Sequence, residues 1–366
     1  MLPDESLREA ERLMTVCNSC RYCEGLCAVF PAMEMRRVFA EGDLDHLANL
    51  CHSCGACHDD CQFAPPHEFA VNVPLALARV RRDSWERHAW PSALAGLFRR
   101  SPVAMAVGLS VAVGAFLLAM AGWNDAGVLF TRQAGPGAFY RLLPHDALAV
   151  LFGGAFLYAA LALTIAARRF TRSVDAQMPL RADARSIVRG LRDAATLKYL
   201  DGGGVGCVDT AEEPADRRRL FHHLAFYGFL LCFAATAVAT LYHYLLGREA
   251  PYPWYDVPVL LGSLGGAGLI IGPLGLMRGR RQRRAELKDE SQSGMDNAFS
   301  LLLVLVSVTG LALLLARATA LMGVLLAIHL GVVFTLFAML PYSRFVHGIY
   351  RVYALVRHAR EMHELG

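Results

Sequence analysis

Six stretches of the chain run for about the thickness of a bilayer without one Asp, Glu, Lys or Arg: 103–122, 147–167, 224–246, 257–277, 298–316 and 318–340. A hydrocarbon core needs about 20 apolar residues in one helix to cross it. Soluble core helices rarely stay uncharged that long, so the pattern predicts six transmembrane helices, the fourth rich in glycine (GSLGGAGLIIGPLG). The first hundred residues are patterned differently. MLPDESLREAERLMTV has neither a basic start nor an apolar stretch and reads as no signal peptide. In AMEMRRVFAEGDLDHLANL, Met33, Val38, Leu44 and Leu47 recur at helical spacing without β-branched runs. The expected fold is all-α: a small cytoplasmic helical domain over residues 1–100, a six-helix transmembrane bundle over 101–346 with a polar loop at 168–220, and a basic cytoplasmic tail at 347–366.

Composition changes this picture little. The chain is 55% hydrophobic and 19% charged, where a soluble domain carries about a quarter charged residues, so the apolar surplus belongs in lipid. The net charge of +4 is modest, and the basic residues flank the apolar runs. Arg79, Arg81, Arg82, Arg87, Arg99 and Arg100 precede the first run, and Arg168, Arg169 and Arg172 follow the second. Arg217, Arg218 and Arg219 precede the third, RGRRQRR follows the fourth, and Arg344, Arg351, Arg357 and Arg360 follow the sixth. The remaining loops hold only Arg132, Arg141, Arg248 and Arg317. Lys and Arg mark cytoplasmic loops, so both termini are expected on the cytoplasmic side of the inner membrane. An odd number of spans would break that agreement. RGRRQRR reads as an inside anchor, and no nucleic-acid partner is expected.

Eight of the ten cysteines form one pattern twice. CNSCRYCEGLC places Cys17, Cys20, Cys23 and Cys27 as C-x2-C-x2-C-x3-C, and CHSCGACHDDC repeats it with Cys51, Cys54, Cys57 and Cys61. Such a run wraps an iron–sulfur cubane with its first three thiolates and lends the fourth to the neighbouring cluster. The expected ligand sets are Cys17, Cys20, Cys23 and Cys61 on one [4Fe–4S] cluster, and Cys51, Cys54, Cys57 and Cys27 on the other. Zinc sites use separated C-x2-C pairs, and disulfides are unexpected in a reducing cytosol. Cys54-Gly-Ala-Cys57-His58 also fits the attachment pattern of c-type haem, but both cysteines already belong to a complete run. Ferredoxin runs place proline directly after the fourth cysteine. Here Ala28 and Gln62 follow, with Pro31 and Pro65 later, which favours a helical ferredoxin domain over a small βαβ one. Cys232 reads as a core residue, and Cys207, in DGGGVGCVDT, as part of a close-packed or partner-facing loop.

Several of the thirteen histidines sit at span ends, where a polar ring is costly unless it binds something. His329 and His347 are 18 positions apart, five turns at about 3.6 residues per turn, and His222 and His243 nearly share a face. The third and sixth helices, facing each other, would clamp b-type haem: His222 with His347 near the inner surface, His243 with His329 near the outer, and His145 as a spare candidate there. The bland alternative is histidines in the headgroup region, and a bend at Pro341 would upset the facing.

CRYCEGLCAVFPAMEMRR, LANLCHSCGACHDDCQFAPPHEFAVNVP and RRRLFHHLAFYGFLLCFAATAVATLYHY together resemble the tricarballylate utilization protein B family (TcuB, also called CitB). The resemblance covers nearly the whole chain, span count included. It implies an electron-transfer membrane protein with two [4Fe–4S] clusters on the eight cysteines and b-type haem. Electrons would come from a FAD-dependent dehydrogenase oxidising tricarballylate or a related tricarboxylate, and pass to membrane quinone. No residue need act on an organic substrate, and His58, His67, His88 and Asp60 are candidate proton relays. Two readings compete: a membrane subunit of another oxidoreductase, heterodisulfide- or nitrate-reductase-like, and a non-enzymatic membrane redox sensor.

Overall fold

The computed structural model describes residues 4–100, 102–124, 126–204, 206–208 and 216–364. Helices dominate it, and no strand is formed among the described residues. The N-terminal domain comprises α1 (Glu5–Cys20), α2 (Val29–Glu34), α3 (Glu41–Leu50), α4 (Ala56–Asp59), α5 (Val73–His88) and α6 (Ser92–Arg100). Asp4 caps α1 by accepting from the Ser6 N–H, and Arg21, at φ 56°, ends it with its N–H on the Cys17 carbonyl. Asn72 caps α5 by accepting from the Leu75 N–H at 3.1 Å. Such caps satisfy backbone groups that a helix end would leave unpaired. Leu7, Leu13 and Met14 of α1 meet Phe30, Met33, Leu44, Leu47, Leu77 and Val80 in one core. Val38, expected on the same apolar face, lies in the turn between α2 and α3 and is 78% exposed.

Among the described residues six helices are long and apolar enough to cross a membrane: α7 (Pro102–Trp123), α8 (His145–Val174), α10 (Arg217–Leu246), α11 (Val257–Gln282), α12 (Glu290–Ala316) and α13 (Met322–Met339), with α9 (Ala184–Ala195) between the second and third. Val107, Val111, Leu118, Val150, Leu157, Leu161 and Leu264 stand exposed on them. In water that surface would be a liability, but lipid is its solvent, and the chain is a multi-pass membrane protein. The 30-residue helices α8 and α10 span about 45 Å each, so they outreach the hydrocarbon. The glycine-rich run has a packing reason. A Cβ on Gly265 would stand 2.8 Å from the Gly228 carbonyl oxygen and from Cys232 Sγ, so glycine lets α10 and α11 close on each other.

The sixth span does not continue into the tail. α13 ends at Met339, a 3-10 turn follows at Leu340–Tyr342, and a separate helix, α14 (Val346–Glu364), begins. Pro341 lacks the N–H that a continuing helix would need. The segment after 347, expected as a basic tail, is this helix built into the N-terminal domain. Ala354 and Leu355 join the core of α1 to α5, and Glu361 accepts from Arg36 at 2.7 Å and from Arg357 at 3.0 Å.

The basic segments meet the N-terminal domain at one end of the bundle. Arg284 pairs with Asp59 at 2.7 Å, Arg82 with Asp289 at 3.1 Å, and Asn72 donates to the Glu286 carbonyl at 2.8 Å. RGRRQRR is thus a clasp on the soluble domain as well as a run of charge. At the other end Arg248 pairs with Asp256 and Arg317 lies over the Trp254 ring.

Candidate redox site

The cysteine runs fold as short turns between helices, and their thiols gather around two cavities. Cys17, Cys20, Cys23 and Cys61 line one, together with Tyr22 and Phe63. Cys27, Cys51, Cys54 and Cys57 line the other, together with His52 and Tyr199. The cavities hold about 430 and 400 Å³ of unfilled space, open mouths included. Phe30, Cys57 and Val73 line both, so they share a wall. Each run thus sends its fourth cysteine to the wall of the other run's cavity.

The backbone is shaped for this. Gly55, at φ 91°, precedes α4, and a Cβ there would come within 2.9 Å of the Val208 carbonyl oxygen. A left-handed residue pressed against a neighbouring chain segment has to be glycine. The Val208 N–H in turn donates to the Cys54 carbonyl at 2.9 Å, and Cys207 is buried beside Cys54. The glycine-rich segment thus closes over the second cavity, with Gly202 lining it. Val205 and residues 209–215 of that segment lie outside the described residues.

Burial, and after it the neighbouring thiols, push Cys17 and Cys23 up to about 12. Burial likewise pushes Cys27, Cys54 and Cys57 up. Thiols in that condition keep their protons at neutral pH unless a metal displaces them. Among the described residues no three His, Cys, Asp or Glu side chains close on a single metal ion. One zinc would draw its thiolates to within roughly 4 Å of each other through bonds of about 2.3 Å. Four thiols line each cavity, the donor set that an iron–sulfur cluster takes.

Between the second cavity and the membrane helices lies the segment Cys51, His52, Ser53, all three buried. The Ser53 N–H donates to Cys51 Sγ at 3.3 Å. Guanidiniums from four elements donate to this segment: Arg81 and Arg351 to the Cys51 carbonyl, each at 2.7 Å, and Arg218 and Arg283 to the Ser53 carbonyl at 3.0 and 2.8 Å. Nothing in the sequence distinguished these arginines from the other basic residues flanking the spans.

His222 of α10 and His347 of α14 face each other, ring centres 5.9 Å apart and planes at 81°. His347 Nδ1–H donates to the Arg344 carbonyl, which leaves Nε2 with a free lone pair, as metal-binding histidines require. Burial, then His222 and Arg351, hold His347 far below its usual value, so its ring is neutral. His222 Nδ1 is buried without a hydrogen bond among the described residues.

The outer pair differs from expectation. His243 stacks on His145, the spare candidate, at 3.6 Å and 16°, with Tyr140 and Tyr244 edge-on. His329 is bonded through Nδ1 to Thr309 Oγ1 of α12 at 3.0 Å. The helix break at Pro341 removes the shared face of His329 and His347, and α10 lies chiefly along α11. At 3.6 Å the stacked rings leave no room for a metal between them. Of the candidate proton relays, His88 is held by Asp45 at 3.1 Å and His67 packs against Phe63 and Phe69.

Comparison with known proteins agrees with this division of the molecule. The Fer4-like domain model of citrate utilization protein B matches residues 10–87, and the model of citrate utilization protein B itself matches residues 97–365. Citrate utilization protein B of Escherichia coli is 49% identical over 354 residues, covering 96% of this chain and 92% of that protein. No solved structure matches the chain. With the cysteine-bearing half and the membrane half each matched, and a relative aligned almost end to end, the chain belongs to the citrate utilization protein B family.

Proposed function

We propose that the chain carries electrons from a partner FAD-dependent dehydrogenase, which oxidises tricarballylate or a related tricarboxylate, to the quinone pool of the inner membrane. The observation that carries this reading is the pair of adjoining cavities, each lined by a crossed quartet of thiols. Two [4Fe–4S] clusters bound there, with one b-type haem between His222 and His347, supply the one-electron chemistry that side chains lack.

The chain's own part is ligation, spacing and shielding. Cys17, Cys20, Cys23 and Cys61 would hold the outer cluster, and Cys27, Cys51, Cys54 and Cys57 the inner one. The backbone N–H groups of Val29 and Phe30 point at the Cys27 thiol, and that of Ser53 at Cys51 Sγ. Such bonds stabilise the charged sulfur and so tune a cluster. Tyr22, Glu24 and Gln62 beside the first quartet are exposed, while His52, Ser53 and Gly55 beside the second are buried. Entry from a partner at the first quartet and exit inward from the second follow from that gradient. The clustering of basic segments at the soluble domain's end favours the cytoplasm for both termini and the clusters. The tricarboxylate class rests on the family: the Escherichia coli relative's name refers to citrate, itself a tricarboxylate.

The test is a census of the full chain purified in detergent. Iron and acid-labile sulfide should match two four-iron clusters, and dithionite should raise a reduced b-type haem band of one haem per chain. A preparation without the haem band would sink the membrane half of the proposal. One with iron for a single cluster would sink the soluble half.

A further inference from the structure

The two thiol quartets differ in the charges buried against them. Beside the second, Arg81 of α5 donates to the carbonyls of Ala48 and Cys51 and to Ser53 Oγ, at 3.1, 2.7 and 3.2 Å. Arg351 of α14 donates to the carbonyls of Asn49 and Cys51 and meets His52 Nδ1, at 3.0, 2.7 and 2.9 Å. Every one of these partners is a neutral group. Asp296, at the same level, is engaged by Arg344. Both guanidiniums thus reach the backbone of Cys51 itself. Around the first quartet the charges are mixed and lie at the surface: Arg21, Glu24 and Asp60 are all exposed.

We propose that Arg81 and Arg351 form a cationic collar that makes the centre held by Cys27, Cys51, Cys54 and Cys57 the easier of the two to reduce, and thereby sets electron flow inward. This inference rests on the two-cluster reading above. Each transfer moves one electron, supplied by the reduced flavin of the partner. The centre on the Cys17 quartet is oxidised by one electron and the centre on the Cys51 quartet is reduced by one. A reduced cubane carries one more negative charge than an oxidised one, so a fixed positive charge favours the reduced form. A guanidinium within roughly 8 Å, acting through an effective dielectric of about 20, biases such an equilibrium by tenfold or more. The collar also spans the gap inward: Arg351 lies one turn beyond His347 on α14 and touches Cys51 directly.

The experiment is an EPR-monitored redox titration of the full chain in detergent. Cys20→Ser identifies the signal of the first quartet. The expected wild-type result is that the Cys51-quartet signal is reduced first, at the higher potential. Arg351→Gln should lower that midpoint alone, by a tenfold change in the reduced-to-oxidised ratio at fixed potential, or about 59 mV for one electron. Arg351→Lys, which keeps the charge, should keep most of it, and Arg81→Lys against Arg81→Gln repeats the comparison should Arg351→Gln not fold. Wild-type centres reduced in the opposite order would overturn the collar. So would Lys and Gln variants that fall equally, or midpoints that move together. If the wild type lacks two four-iron signals altogether, the fault lies with the underlying cofactor assignment.

Discussion

Replacing Glu361 by Gln tests whether α14 is a structural part of the redox domain. The Glu361 carboxylate is 4% exposed and accepts from Arg36 at 2.7 Å and Arg357 at 3.0 Å, with His46 Nε2 at 3.6 Å. Breaking a buried pair by removing one partner costs about 3–5 kcal/mol, because the other charge is left stranded. Here each guanidinium keeps a second carboxylate: Arg36 has Asp43 and Arg357 has Asp175, both at 2.7 Å. The loss should therefore fall near the lower end, about 3 kcal/mol. Glu364, on the same helix, pairs with Arg360 at 2.9 Å but is 52% exposed, so Glu364→Gln should cost at most about 1 kcal/mol. Thermal unfolding of both variants in detergent at pH 7 makes the comparison, and α14 carries His347 and Arg351, so Glu361→Gln should also weaken haem retention. The pH dependence has a definite sign. Burial alone would raise the Glu361 carboxyl, but His46 and Arg36 overcome it and hold it well below the usual carboxylate range. Its contribution is complete above the unfolded value of about 4.3 and is lost as pH falls from there toward the folded value. Equal stability of the two variants at pH 7 would refute the docking of α14.

The crossed quartets predict crossed damage. Cys27→Ser should disturb the EPR signal of the cluster on Cys51, Cys54 and Cys57 and spare the other, and Cys61→Ser should do the reverse; damage confined to the mutated run would contradict the crossing. His222→Ala and His347→Ala should each abolish the same reduced b-type band, whereas His329→Ala, which removes a ring bonded to Thr309 of α12, should retain it. Loss of different bands in the first two would break the pairing.

How far the sequence reaches into this structure depends on the range over which each requirement acts. Four cysteines within eleven residues are a local pattern, so each run could be picked out from spacing alone. Lipid imposes an equally local rule, and all six spans lie where uncharged runs predicted them. A histidine's helix face is local too, which is why His222 and His243 could be set on one side of α10. The ring opposite is not local. Pro341 turned α14 out of line with α13, left His329 to Thr309 and gave His243 to His145. The arginines show the same limit more sharply. Arg81, Arg218, Arg283 and Arg351 come from separate helices and from a loop, and each, read alone, is a positive charge at the inner face of a membrane. Only folding brings them to within hydrogen-bonding distance of Cys51 and Ser53. α14 did carry a signal: Val346, Tyr350, Ala354, Leu355, Arg357, His358 and Glu361 are all buried, at helical spacing. Three of those buried positions are polar. Charged residues are almost never fully buried unless paired, so a charge count assigned this helix to solvent. Its partners, Arg36 and Asp175, are more than a hundred residues away, and the apolar positions between its charges were the better guide.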